Sequence, residues 1–141
     1  MSKISVLLAD DNGNLLQYVS EFLSANGCGV VGMVSDGQAA LDAAMKLRPD
    51  VLVLDISMPI LNGIQAARRL RETDSGTKIV FLSVERDPEI YHAAIETGAL
   101  GYVLKQRLAA DLIPAIEQAR LGRRFVSAGC EVSDLAFHEP M

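Results

Sequence analysis

Tryptophan is absent and aromatic residues make up only 5% of the chain, so any core must be built from Val, Leu, Ile, Ala and Met. Cysteine is scarce. Cys28 and Cys130 stand far apart, neither has a histidine neighbour, and their spacing is of neither a metal nor a redox type. Two free thiols in a reducing compartment are the expectation. No apolar run approaches the ~18–20 residues of a membrane span, and the opening Met1-Ser2-Lys3 with its short apolar sequel lacks the form of a signal peptide. A soluble, cytoplasmic protein is expected, with no membrane partner. Positive charge is in deficit, with 13 Lys and Arg against 18 Asp and Glu for a net charge of −5. That argues against direct nucleic-acid binding by this segment, which would need a basic surface. Arg107, Arg120, Arg123 and Arg124 do gather late in the chain, and a solvated helix end explains them. Internal repeats, low-complexity tracts and linkers within the strand–helix pattern are missing as well.

What is present is an alternation. A chain of 141 residues is the size of one domain. Five short apolar runs, Ile4–Leu8, Val30–Val34, Val51–Leu54, Ile79–Leu82 and Tyr102–Leu104, are almost unbroken, as expected of parallel strands covered on both faces. Between them lie stretches of helical spacing. Leu15, Leu16, Val19, Phe22 and Leu23 form one stripe. Ala40, Leu41, Ala44 and Leu47 form the next, opened by Asp36-Gly37. Ile64, Ala67 and Leu70 give a third, and Ile90, Ala93, Ala94 and Thr97 a fourth that ends at Gly98. Leu108, Leu112, Ile116 and Ala119 give the fifth. Pro114 removes a backbone donor there, which predicts a helix that starts late, near Ala110 or Asp111, or one that bends. Five strands alternating with five helices predict an α/β fold, a doubly wound parallel sheet with right-handed crossovers. The domain is expected over 1–124. Residues 125–141 read as a tail or the start of a linker to an output domain, with Phe125-Val126 a candidate extra strand.

The polar residues that interrupt this pattern sit in related places. Asp10 and Asp11 follow the first strand, Asp55 the third, Ser83 the fourth and Lys105 the fifth. All are at the carboxyl ends of strands, the edge at which open α/β sheets bind ligands. Each alone means little: an Asp-Asp pair is ordinarily a solvated turn, an Asp after a strand is ordinarily a helix cap, Ser83 could be a cap and Lys105 a surface lysine. Their joint placement is the signal. If the first and third strands are neighbours, three carboxylates meet, and they need a proton or a cation among them. Oxygen ligands on a rigid edge suit Mg²⁺. A nucleophilic carboxylate, a metal, an ammonium and a hydroxyl form a complete phosphoryl site.

Taken together, Val6-Leu7-Leu8-Ala9-Asp10-Asp11-Asn12, Asp50-Val51-Leu52-Val53-Leu54-Asp55-Ile56-Ser57-Met58-Pro59, Asn62-Gly63, Ile79-Val80-Phe81-Leu82-Ser83 and Gly98-Ala99-Leu100-Gly101-Tyr102-Val103-Leu104-Lys105 resemble the receiver domain of two-component response regulators. The last block looks most like the NarL/LuxR-type subfamily. The resemblance spans roughly Ile4 to Gly122. It implies a flavodoxin-like (βα)5 sandwich with strand order 2-1-3-4-5, and a switch rather than an enzyme. It implies Asp55 as phosphoacceptor, and Mg²⁺ or Mn²⁺ held by Asp10, Asp11, Asp55 and the backbone carbonyl of Ser57. Ser83 and Lys105 would contact the phosphoryl group, and Ser83 and Tyr102 would switch state. Pro59 and Gly63 would shape the loop after the acceptor. The implied partners are a sensor histidine kinase or phosphotransfer protein and a second copy on phosphorylation.

Two positions depart from the family pattern. Gln106 stands where many receivers have a proline, often after a cis bond. Val84 follows Ser83 where many have a smaller residue, which predicts slow loss of phosphate. Three other readings stay open: the receiver portion of a LuxR-type DNA-binding transcriptional regulator, a pseudo-receiver that binds without phosphate, and an aspartyl-phosphate hydrolase. The last would need a second Asp two places after the nucleophile, where Ser57 stands.

Overall fold

The computed structural model describes residues 3–73, 75–128 and 130. Six strands, β1 (Ser5–Ala9), β2 (Gly29–Val34), β3 (Val51–Leu54), β4 (Lys78–Ser83), β5 (Gly101–Leu104) and β6 (Phe125–Val126), form one parallel sheet in the order β2-β1-β3-β4-β5-β6. Among the described residues, five α-helices connect them: α1 (Gly13–Ala25), α2 (Gly37–Leu47), α3 (Gly63–Glu72), α4 (Pro88–Glu96) and α5 (Leu108–Arg120).

Side chains alternate across a strand, and here both faces are apolar. Leu7, Leu52, Leu54, Phe81 and Leu104 pack with Ala40, Ala44, Ala66, Ala67 and Leu70 beneath α2 and α3. Val6, Leu8, Val53, Val80 and Val103 pack with Val19, Leu23, Leu112 and Ile116 beneath α1 and α5. The near-continuous apolar runs of the inner strands therefore reflect coverage on both faces, whereas the edge strand β2 leaves Val31 and Met33 exposed. The helix starts are built from side chains. Asn12, Asp36 and Asn62 each accept a hydrogen bond from a first-turn amide, and Asn62 and Gln65 form a reciprocal capping box.

Two expectations need correction. The sheet has six strands, because Phe125-Val126 pairs with Gly101-Tyr102 and covers an otherwise bare edge. The fifth helix starts at Leu108, not at Ala110 or Asp111, and Pro114 lies inside it. The carbonyl that loses its partner to Pro114 is that of Ala110, an exposed residue, while Leu108, Leu112 and Ala115 are buried below. Both cysteines are free and buried. No helix among the described residues is long and apolar enough to cross a membrane. The tail beyond residue 130 lies outside the described residues.

Candidate functional site

The sheet register brings the polar strand ends together. Ala9 pairs with Leu54, so Asp10 and Asp55 leave neighbouring strands side by side, and the Asp55 amide still donates to the Ala9 carbonyl at 2.9 Å. Leu54 pairs with Phe81 and Ser83 with Leu104, which sets Ser83 and Lys105 on the same edge. Carboxylate oxygens of Asp10, Asp11 and Asp55 all lie within 4.8 Å of one another. The Lys105 ammonium Nζ stands 2.8 Å from Asp10 Oδ2 and 3.5 Å from Asp55 Oδ1.

Burial gives these contacts their weight. Asp10 and Asp55 are 4% and 5% exposed, whereas Asp11 faces solvent. Asp10 Oδ1 accepts the Asn12 amide at 2.9 Å, which fixes the start of α1 beside the site. Burial, reinforced by the Asp10 charge, pushes the Asp55 carboxyl up to about 6, against the pull of Lys105 and of the Ser57 amide that donates to it. Burial draws the Lys105 ammonium down, but its hydrogen bond to Asp10 and the charges of Asp55 and Asp10 outweigh that and raise it. One ammonium thus faces three carboxylates. The donors are all hard oxygens, one of them open to solvent, and such a set fits a small divalent cation. Asp10, Asp11 and Asp55 are the residues that could hold it. Beside them lies an open hollow of about 450 Å³ lined by Asp11, Ile56, Ser57, Met58, Pro59 and Asn62.

The loop after Asp55 is tightly placed. Gly63 donates to the Ile56 carbonyl at 2.8 Å, and a Cβ on Gly63 would fall 2.0 Å from the Asp55 carbonyl oxygen. Gly37 abuts the far end of the loop, where a Cβ would come 1.7 Å from the Leu61 carbonyl oxygen. Pro59 accepts the Leu61 amide at 2.7 Å, and between them Ile60 adopts a positive φ of 70° with its side chain 80% exposed.

On the other flank, the buried Ser83 hydroxyl accepts the Glu85 amide at 3.0 Å. The Tyr102 hydroxyl donates to the Glu85 carbonyl at 2.8 Å, so both residues hold the same short segment after β4. The Tyr102 ring is fully buried, and that burial pushes its hydroxyl up to about 12. Val84 lies between them with 66% of its surface exposed. Gln106 follows Lys105 through a trans bond.

Sequence reasoning missed three residues near the site. Tyr91, on α4, meets the Tyr102 ring edge-on at 5.1 Å. Its place one residue after the apolar Ile90 was the available signal. Asp111 and Ser127 are buried polar residues behind Lys105. Nothing in a single sequence distinguishes them from surface positions.

The family model of the response regulator receiver domain matches residues 6–117. The chain belongs to this family. The receiver is 36% identical over 124 residues to the nitrate/nitrite response regulator protein NarL of Escherichia coli (strain K12), an alignment that covers 87% of this chain and 57% of the relative. The chain therefore spans less than two thirds of the length of that curated relative. Among solved structures, the receiver resembles the signal receiver domain of a response regulator NarL from Mycobacterium tuberculosis, with a TM-score of 0.83, 31% identity and coverage of 87% of this chain and 100% of that one. It also resembles the isolated REC domain of RcsB from Salmonella enterica serovar Typhimurium, in a structure with the phosphomimetic BeF3⁻, with a TM-score of 0.84, 26% identity and coverage of 94% and 99%.

Proposed function

We propose that Asp55 accepts a phosphoryl group from the phosphohistidine of a sensor histidine kinase or phosphotransfer protein, and that the receiver then changes its surface to control an output. The observation that carries this reading is the placement of Lys105 Nζ within 2.8 Å of Asp10 and 3.5 Å of Asp55 in a pocket of excess negative charge. An Asp55 oxygen attacks phosphorus, the bond from phosphorus to the donor imidazole breaks, and an acyl phosphate results. Hydrolysis returns the carboxylate and releases inorganic phosphate. Asp10, Asp11, Asp55 and the Ser57 carbonyl would hold Mg²⁺ or Mn²⁺, which would supply neutralising charge for the phosphoryl oxygens. Lys105 supplies a second cation from the β5 side, and the Ser83 hydroxyl a hydrogen bond from the β4 side. Positioning and electrostatics of this kind account for most of phosphoryl-transfer catalysis. The protein acts as a switch that turns over its own phosphate, with no separate substrate.

The energetics suffice for a switch. A hydrogen bond to a charged group contributes ~1.5–3 kcal/mol, and moving a population from mostly off to mostly on takes ~5.5 kcal/mol of differential binding. Ser83 and Lys105 contacts together approach that. Turning Ser83 toward the phosphate releases the Glu85 amide, and Tyr102, bound to the same residue, is drawn into the rearrangement. The surface of α4, β5 and α5 is then the output face, and a second copy the partner it meets on phosphorylation.

Labelling with acetyl phosphate and Mg²⁺ tests the reading. The wild type should gain one phosphoryl group and Asp55→Asn none, with circular dichroism unchanged. Label that persists in Asp55→Asn overturns the assignment. Failure of the wild type to take up beryllofluoride with Mg²⁺ would favour a phosphate-independent receiver. A second reading of the output, a LuxR-type transcriptional regulator of which this chain is the receiver portion, is favoured by the 57% coverage of NarL. The coding sequence beyond Met141 tests it.

A further inference from the structure

Among the described residues Lys105 is the one cation paired with the site's carboxylates, and its backbone is held from behind by a buried network that sequence patterning does not explain. The ladder between β5 and β6 runs through Phe125 N–H to the Leu100 carbonyl and Ser127 N–H to the Tyr102 carbonyl, both at 2.9 Å. At the next rung a side chain takes over. The Leu104 amide donates to Ser127 Oγ at 3.1 Å, and that hydroxyl donates in turn to Asp111 Oδ2 at 2.7 Å. The same oxygen of Asp111 accepts Arg107 Nε at 2.8 Å, and Oδ1 accepts Arg107 Nη2 at 3.3 Å. Ser127 is fully buried and Asp111 is 6% exposed. The residue immediately before Lys105 and the residue two places after it are thus tied to one carboxylate.

Buried polar groups are costly unless each is satisfied, and here every bond of the set converges on the turn that bears Lys105. Asp111 accepts from three donor atoms and Ser127 Oγ both accepts and donates, so the network has one geometry. We propose that Asp111 and Ser127 are positioning residues for Lys105, fixing the turn Lys105–Arg107 so that the ammonium reaches between Asp10 and Asp55. The inference rests on the phosphoryl-transfer reading above. It extends the site to the end of β6, a strand beyond the five-strand pattern.

The test compares Ser127→Ala, Asp111→Asn and Arg107→Ala with the wild type in acetyl phosphate labelling. Small misplacements of catalytic groups cost up to about a hundredfold. A fall of roughly tenfold in the maximal labelling rate is expected for the first two, and a smaller fall for Arg107→Ala, whose side chain is 43% exposed. The Mg²⁺ concentration for half-maximal labelling should not rise, because the carboxylates hold the metal. In a Lys105→Ala background, Ser127→Ala should add nothing further. Equal losses from Ser127→Ala with and without Lys105, or a rise in the Mg²⁺ requirement matching a general loss of fold, overturn the proposal while leaving the phosphoryl reading intact. Should the wild type take no label, that reading fails, and hydrogen exchange still decides the positioning. The amide of Leu108, which closes the turn onto the Lys105 carbonyl, must exchange faster in Ser127→Ala, and unchanged exchange there refutes it.

Discussion

At the scale of single residues, Asp55 is a destabilising group in the folded protein. Its carboxyl ordinarily ionises near 3.8 and here is pushed up to about 6, chiefly by burial and then by Asp10. The folded state therefore binds the proton more tightly than the unfolded chain. Stability from this group is greatest below 3.8 and is lost as pH rises through about 6. The difference is worth about 3 kcal/mol. In metal-free buffer, Asp55→Asn should unfold at a higher temperature than the wild type at pH 7.5, and the gap should close below pH 4. Thermal melts at the two pH values check this, and equal melting temperatures at pH 7.5 contradict it. Asp111 runs the other way. Burial raises its carboxyl, but hydrogen bonds from Arg107 and Ser127 and the Arg107 charge bring it below the ordinary value, so its contribution is lost only as pH falls under 3.8. Val84, exposed beside Ser83, is expected to shield the phosphoryl group from water. Val84→Ala should lose label severalfold faster, and slower loss would refute the shielding.

At the scale of elements, α5 contains its own weak point. Pro114 leaves the Ala110 carbonyl without a helical partner, which costs up to ~3 kcal/mol in a helix interior. Proline also restricts the unfolded chain, returning ~0.4–1 kcal/mol. Since Ala110 is exposed, the lost bond costs less than in a buried turn, and Pro114→Ala should stabilise the protein by about 1 kcal/mol, read as a higher urea midpoint with unchanged slope. The same element shows the limits of reading a sequence. Its apolar stripe of Leu108, Leu112, Ile116 and Ala119 was legible, because period and burial coincide. Its start at Leu108 is not legible, because a proline in a sequence does not reveal which face it turns to water. The strands were legible because a sheet covered on both sides writes itself as unbroken apolar runs. β6 was visible only as a candidate, since two residues are too few for a period. The site residues Asp10, Asp11, Asp55, Ser83 and Lys105 were legible because each breaks an apolar strand at its carboxyl end. Tyr91, Asp111 and Ser127 were not, since their partners come from other elements.

At the scale of the whole molecule, the acidic pocket couples folding to cations. Three carboxylates against one ammonium leave the folded state with unneutralised negative charge at neutral pH, and the proposed divalent ion would bind that state alone. Mg²⁺ at a hundred times its dissociation constant should therefore stabilise the wild type by ~2.7 kcal/mol. Differential scanning calorimetry with and without the metal measures it, and Asp10→Asn should remove most of the rise. A rise that survives this substitution would place the ion elsewhere.

The two glycines that hem the acceptor loop have a consequence for how the gene can vary. Every amino acid reachable from a glycine codon by one nucleotide change carries a Cβ, and at Gly37 and Gly63 that atom would land within 2.0 Å of a backbone oxygen. Neither codon has a neutral neighbour that changes the protein, so both positions are held at glycine whatever side chain stands at the exposed loop tip now occupied by Ile60.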